Sequence, residues 1–275
     1  MDASRRIDIM GIVNLTDNSY FSASRCLGEN GDVDIQKALS RAETLVAEGA
    51  TILDIGACST RPGSEPVGEA EEWRRLKAFL PVLRERFPHV LISIDTYWAS
   101  VVRNVHSLIG DFIVNDVSAG EDDPDMLRTV GELGLQYVAM HKRGDSKTMQ
   151  SLTGYDDVCA DIHSYFEEFA AKARRFGIHD WILDPGFGFA KTVEQNYELM
   201  RGLSGFADFR RRILVGVSRK SMIYKKFGIT PEEALPATQA LHLAALIGGA
   251  DILRVHDAAP AAQTVEIYRE LYAEK

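Results

Sequence analysis

Eight short apolar runs, each followed by a stretch with helical spacing and nearly all closed by a polar residue, predict a (β/α)8 TIM barrel, one domain over residues 1–275. Strands that alternate with helices pair in parallel, because each crossover returns the chain to the same end of the sheet. The period alone is also compatible with a doubly wound sheet. The polar residues at the ends of the runs favour the barrel, where such ends converge on one face.

The first strand is expected over residues 7–15. Asp34, Ala38, Leu39, Ala42, Leu45 and Val46 then share one face of a helix that stops at Gly49. Further strands are expected over 51–55, 90–94, 112–114, 136–139, 181–183, 212–217 and 251–255. The helices between and after them are expected over 69–87, 98–108, 124–133, 156–176, 193–203, 235–247 and 259–272. No Pro-, Gly- or Ser-rich linker and no shift of composition divides the chain.

Of the 275 residues, 45% are hydrophobic and 26% charged, which excludes disorder, collagen and coiled coil. Lys and Arg number 31 against 40 Asp and Glu, a net charge of -9, so nonspecific binding to nucleic acid or an anionic membrane is disfavoured. Cys26, Cys58 and Cys159 are odd in number without CxxC spacing, which suits thiols in a reducing compartment. With no apolar stretch long enough to span a membrane, a cytoplasmic location is expected. No HExxH or strand-closing HxH supports a zinc hydrolase, and the remaining histidines (His89, His106, His163, His179, His242) are assigned to packing or surface.

The residues at the strand ends fall into two chemical sets. Asp95, Asn115 and Asp184 are acceptors; Arg61, Lys220, Arg254 and His256 are cationic donors. Acids without an adjacent fixed cation suggest a ligand rich in N–H donors, such as an amino-substituted nitrogen heterocycle. The cations suggest a phosphate-rich group. The expected ligand is therefore bipolar. Asp54 and Asp116 are expected to fix turns rather than touch it, and Cys58 is expected to be a loop thiol.

Eight segments, in order along the whole chain, carry a resemblance: Met10-Gly-Ile-Val-Asn-Leu-Thr16, Asp54-Ile-Gly-Ala-Cys-Ser-Thr-Arg-Pro-Gly63, Ser93-Ile-Asp-Thr96, Asn115-Asp-Val-Ser118, Met140-His141 with Thr148-Met-Gln150, Asp184-Pro-Gly-Phe-Gly-Phe189, Ser218-Arg-Lys-Ser221 and Arg254-Val-His-Asp257. Together they resemble the dihydropteroate synthase family. The resemblance implies a barrel enzyme, a homodimer, that joins hydroxymethyl-dihydropterin pyrophosphate to para-aminobenzoate with Mg2+ present and releases pyrophosphate. It implies a pterin site at Asp95, Asn115, Asp184 and Lys220 with Met140 packed nearby. Pyrophosphate would meet Arg254, His256 and the Thr60–Arg61 loop, with Asn14 as the magnesium ligand. Para-aminobenzoate would meet Thr60, Arg61, Pro62, Phe189, Lys220 and Ser221. Catalysis would rest on Lys220, Arg254, Asp95, Asp184 and Arg61.

The chain departs from the family's pattern in two places. The usual Thr-Pro-Asp-Ser-Phe-Ser-Asp reads Thr16-Asp-Asn-Ser-Tyr-Phe-Ser22, so Asp17 is expected to replace a displaced carboxylate. Ala57 and Cys58 stand where Gly and Glu are usual. Lys142 and Arg143, after Met140-His141, are expected on a solvated surface. Two alternatives are a pterin-dependent methyltransferase, which needs no pyrophosphate-binding cations, and a noncatalytic pterin-binding barrel.

Overall fold

The computed structural model describes residues 5–16, 26–28, 31–58 and 67–272. Its elements follow the expected alternation: β1 (Asp8–Asn14), α1 (Ile35–Ala47), β2 (Ile52–Gly56), α2 (Glu69–Arg86), β3 (Leu91–Asp95), α3 (Ala99–Ile109), β4 (Ile113–Asp116), α4 (Met126–Leu133) and β5 (Gln136–Met140). Then come α5 (Val158–Arg175), β6 (Trp181–Asp184), α6 (Val193–Arg201), β7 (Leu214–Val215), α7 (Ser221–Phe227), α8 (Leu235–Ile247), β8 (Ile252–Val255) and α9 (Ala258–Tyr272). The strands pair in parallel in the order β6-β5-β4-β3-β2-β1-β8-β7. A parallel bridge between Leu183 and Ile213 joins the two outer strands and brings the barrel round on itself.

Strand parity positions the site. Met10, Ile52, Ile113, Val138, Ile182, Leu214 and Ile252 form an apolar cluster of their own. Their sequence neighbours Ile9, Leu53, Val114, Ala139, Leu183, Val215 and Leu253 belong to a larger core that packs beneath the helices. Successive side chains of a strand point to opposite faces, so the first group plugs the barrel interior. Two residues after Ile52, Ile113, Val138, Ile182 and Ile252 come Asp54, Asn115, Met140, Asp184 and Arg254. The same inward row thus turns from hydrocarbon to polar toward the C-terminal end, and the plug forms the floor of the site. Register places Asp95 beside Asn115 and Met140 beside Asp184 on that level.

Two expectations need correction. Regular strand pairing in the seventh run covers only Leu214–Val215, and the short helix α7 follows it. Seven residues are too few for a helical period to stand out. Arg219, with φ +54, is not directed at a ligand. Its guanidinium grips Asp257 at 2.7 and 3.0 Å and donates to the carbonyls of Pro231 and Glu232, which fastens the segment before α8 to the end of β8. Lys142 is buried and paired with Asp122 at 2.5 Å, and Arg143 pairs with Asp161 while lying 3.8 Å over the Tyr155 ring.

Candidate active site

An ion-pair network lies on the apolar floor. Arg254 Nε donates to Asp54 Oδ2 at 2.7 Å, and its Nη2 donates to Asp95 Oδ2 at 2.7 Å. Asp54 also accepts from Ser93 Oγ at 2.6 Å and from Asn115 Nδ2 at 3.2 Å. The acids therefore do have a fixed cation, contrary to the sequence expectation, because β8 closes against β1 and delivers Arg254 from 200 residues away. Asp54 is fully buried and serves as the anchor that aims Arg254 and Asn115. Asp116 fixes the turn after β4, accepting from the Ser118 N–H and hydroxyl, the Gly120 N–H and the Tyr137 hydroxyl.

Asp95 has one oxygen on Arg254 and one, Oδ1, buried with no partner among the described residues. A buried acceptor left open costs free energy, so this atom marks where a ligand donor is wanted. Burial pushes the Asp95 carboxyl up to about 7 against the pull of Arg254, with Asp54 and Asp116 adding to the rise. Asp184 is raised by burial against the pull of Lys220, and its Oδ1 caps the Gly186 N–H at 2.8 Å. Lys220 Nζ donates to the Phe187 carbonyl at 2.6 Å and stands 4.7 Å from the centre of the Phe189 ring. Burial pushes this ammonium down to about 8, while Asp184 draws it back up.

The site thus has acceptors on β3, β4 and β6 and cations on β8 and before α7. An apolar wall of Met140, Met149, Phe189 and Ala190 completes it. Ser221 opens α7 directly after Lys220. His256 is not the cation that was expected. Burial, reinforced by Arg254, pushes it down to about 3, so it is a neutral imidazole whose Nδ1 meets Ser218 Oγ at 3.0 Å. Asn14 closes β1; a Cβ placed on Gly56 would stand 3.6 Å from Asn14 Oδ1 and 3.6 Å from Asp95 Cβ, so these groups share one corner. Thr60, Arg61, Pro62 and Asp17 lie outside the described residues.

The sequence profile of the family described as pterin binding enzyme matches residues 10–256. Escherichia coli K12 dihydropteroate synthase is 38% identical over 267 residues, which is 96% of this chain and 90% of that protein. The chain belongs to the dihydropteroate synthase family. Solved structures agree. A Yersinia pestis dihydropteroate synthase in complex with a sulfonamide drug superposes with a TM-score of 0.90 at 33% identity, covering 98% of this chain and 96% of that one. The Clostridium difficile dihydropteroate synthase determined in the presence of pteroic acid gives 0.88 at 33% identity, with full coverage of both chains.

Within this dihydropteroate synthase fold the structure adds two groups that strand-end reasoning missed, Lys191 and Glu72. Lys191 follows β6 by seven residues and is buried against His141. Glu72 projects from α2 into the layer behind β2 and β3, beside the Thr96 hydroxyl and near Asp95. It is fully buried, and the Thr96 hydroxyl is the hydrogen-bonding side chain beside its carboxyl. Only an unusual glutamate on the inner face of a helix could have signalled it. The neighbouring Arg75 donates to the carbonyls of Leu15 and Ala57 and so holds together the ends of β1 and β2. Cys58 is buried, with its sulfur 3.9 Å from the Tyr97 hydroxyl, and burial raises its thiol.

Burial pushes Glu72 up to about 8 from an ordinary 4.5. The folded chain therefore keeps this proton over a pH range in which the unfolded chain has lost it, and stability falls as pH rises from 4.5 through 8. Glu72→Gln removes that dependence. The variant is expected to melt with the parent at pH 4.5 and to be more stable at pH 9, by roughly 1–3 kcal/mol. Thermal melts at the two pH values check this; equal melting at pH 9 would show that Glu72 ionises freely.

Proposed function

We propose that this chain catalyses dihydropteroate synthesis, joining 6-hydroxymethyl-7,8-dihydropterin pyrophosphate to para-aminobenzoate with release of pyrophosphate. It is then a transferase of the folate pathway. The observation that carries the reading is the juxtaposition, at one barrel end, of buried acceptors (Asp95 Oδ1, Asp184) with Lys220 and Arg254 over an apolar floor. The donor-rich edge of a pterin suits Asp95, Asn115 and Asp184, with Lys220 at the ring and Met140 against its face. Arg254 spends Nε and Nη2 on Asp54 and Asp95, and its Nη1 takes part in neither pair, which leaves that donor for pyrophosphate. His256, being neutral, would offer hydrogen bonds there rather than charge. Arg61, Thr60 and Pro62 are assigned to pyrophosphate and aminobenzoate on the family pattern, with Phe189 and Ser221 beside the arylamine.

The chemistry follows from these charges. Loss of pyrophosphate from the pterin methylene builds positive charge on the heterocycle and negative charge on the leaving oxygen. Asp95 and Asp184 lie where the first develops, and Arg254 lies where the second does. The arylamine nitrogen is neutral near pH 7 and attacks without a strong base, so no general base is assigned. Asn14 fits a magnesium site of the kind in which one neutral oxygen of the protein joins phosphate oxygens and water. Among the described residues no group of three His, Cys, Asp or Glu forms a protein cage. When bound there, Mg2+ would supply Lewis-acid stabilisation to the leaving pyrophosphate.

We place the chain in the cytoplasm as a homodimer. Among the described residues no helix is long and apolar enough to cross a membrane. Phe227, Ile247, Ile267 and Leu271 expose apolar side chains on α7, α8 and α9, which supports a second copy packing there. The test is release of pyrophosphate from the pterin substrate with Mg2+. Release is expected to require para-aminobenzoate and to be competed by a sulfonamide. A chain that binds the pterin but releases nothing above background would be a noncatalytic binder, and methyl transfer from a methylated folate would put it with the methyltransferases.

A further inference from the structure

We propose that Lys191 is a positioning residue for the arylamine half of the site, clamping the loop after β6 so that Phe189 and Lys220 face the incoming nucleophile. The inference rests on the reading of function just given. Lys191 Nζ lies 3.1 Å from His141 Nδ1, 2.9 Å from the Gly186 carbonyl and 3.0 Å from the Phe189 carbonyl. Burial pushes Lys191 down to about 7 while Asp184 draws it back up, and below that pH the ammonium has three protons, each with one acceptor here. Two of the acceptors belong to the loop and the third to the end of β5, so a single side chain ties the loop to the barrel wall.

The loop is built around that tie. Gly186 has φ +72, and a Cβ there would come within 1.9 Å of the His141 carbonyl oxygen, so the backbone packs directly against the end of β5. Ala190 takes φ +50, a left-handed conformation that costs a residue with a Cβ roughly 1–2 kcal/mol. The residue that follows it is Lys191, turned inward and 4% exposed. Strain of this kind persists only where the surroundings enforce it, and three hydrogen bonds do so here.

What the loop carries explains the purpose. The Phe187 carbonyl holds Lys220 Nζ, and the Phe189 ring lies under the same ammonium. Both segments lie between the first contact of Lys191, at Gly186, and the last, at Phe189. A slackened loop would lose the Lys220 anchor and the aromatic face together. Asp95 and Asn115 stand on β3 and β4, outside the loop, and would keep their pterin contacts.

His141 provides a readout independent of catalysis. Burial, reinforced by Lys191, pushes it down to about 2, so it is a neutral imidazole, and accepting from Lys191 at Nδ1 leaves its proton on Nε2. Nitrogen-15 NMR of the ligand-free wild-type chain is expected to show that tautomer at pH 6, where Lys191 holds its proton and His141 is neutral. A proton on Nδ1 would overturn the clamp whether or not the chain is a synthase. Lys191→Met is expected to raise the KM for para-aminobenzoate on the order of 10-fold or more, the scale of a small misplacement of a reacting group. Its affinity for 6-hydroxymethylpterin should fall by less than that, because Asp95 and Asn115 stay in place while Lys220 and Asp184, which touch the loop, are the only pterin contacts disturbed. Unchanged aminobenzoate KM in the folded variant, or equal loss of both ligands, would overturn the proposal. Should Lys191→Met not fold, Lys191→Gln, which keeps two donors, is read by the same criteria. Failure of the function reading would show separately, as a wild-type chain without aminobenzoate-dependent release.

Discussion

Lys220→Met is expected to lower kcat/KM by about 100-fold or more, the usual cost of removing one preorganised charged donor, while the chain folds as stably as the parent at pH 7 or more so. The two effects have one cause. Lys220 is held as an ammonium in a half-buried position where desolvation pushes it down to about 8, below the ordinary 10.5. The folded chain bears the cost of that charge in full below pH 8, and the cost disappears above 10.5, where neither state holds the proton. Methionine fills a similar volume without charge, so the variant's stability gain should be largest below pH 8 and fade toward pH 10.5. Steady-state kinetics with parallel melts at pH 7 and 10 check both halves. A variant that unfolds, or one that keeps near-normal turnover, would show that Lys220 serves the fold and not the substrate.

Asp95→Asn is expected to lower kcat/KM for the pterin pyrophosphate by about 10²–10³-fold and to leave the KM for para-aminobenzoate near its parent value. Oδ1 of Asp95 is the acceptor that the described residues leave open, and Oδ2 is one of two carboxylate contacts of Arg254. The amide keeps the shape, and Arg254 keeps Asp54, so the cation is not stranded. What is lost is the negative charge opposite the heterocycle, which the transition state needs more than the ground state does. Kinetics with each substrate varied in turn measure the split. A uniform rise in both KM values would mean that the network had collapsed.

Much of this site was readable along the chain because a parallel barrel converts order in sequence into a ring in space. Asp95, Asn115, Met140, Asp184 and Arg254 all close or nearly close an apolar run, and strand parity turns each inward. What the sequence did not disclose is pairing and burial. Arg254 and Asp54 are 200 residues apart, and nothing local says that they touch. His256 reads as a cation until its burial beside Arg254 makes it neutral. Lys191 and Glu72 come from a loop and a helix, where the strand-end signal does not apply, and each is recognised only by what surrounds it. Helix α7 escaped because its seven residues span about two turns.

In the proposed reaction the two charge sets stabilise opposite ends of a breaking carbon–oxygen bond, with cationic character on the pterin methylene before the arylamine bonds to it. An α-secondary deuterium isotope effect on turnover, with the methylene of the pterin pyrophosphate dideuterated, reads that character at the reacting carbon. A normal effect clearly above unity is expected under conditions where chemistry limits the rate. An effect at or below unity under those conditions would mean that the amine attacks in a tight associative transition state, and the division of roles between Asp95 with Asp184 and Arg254 would be wrong.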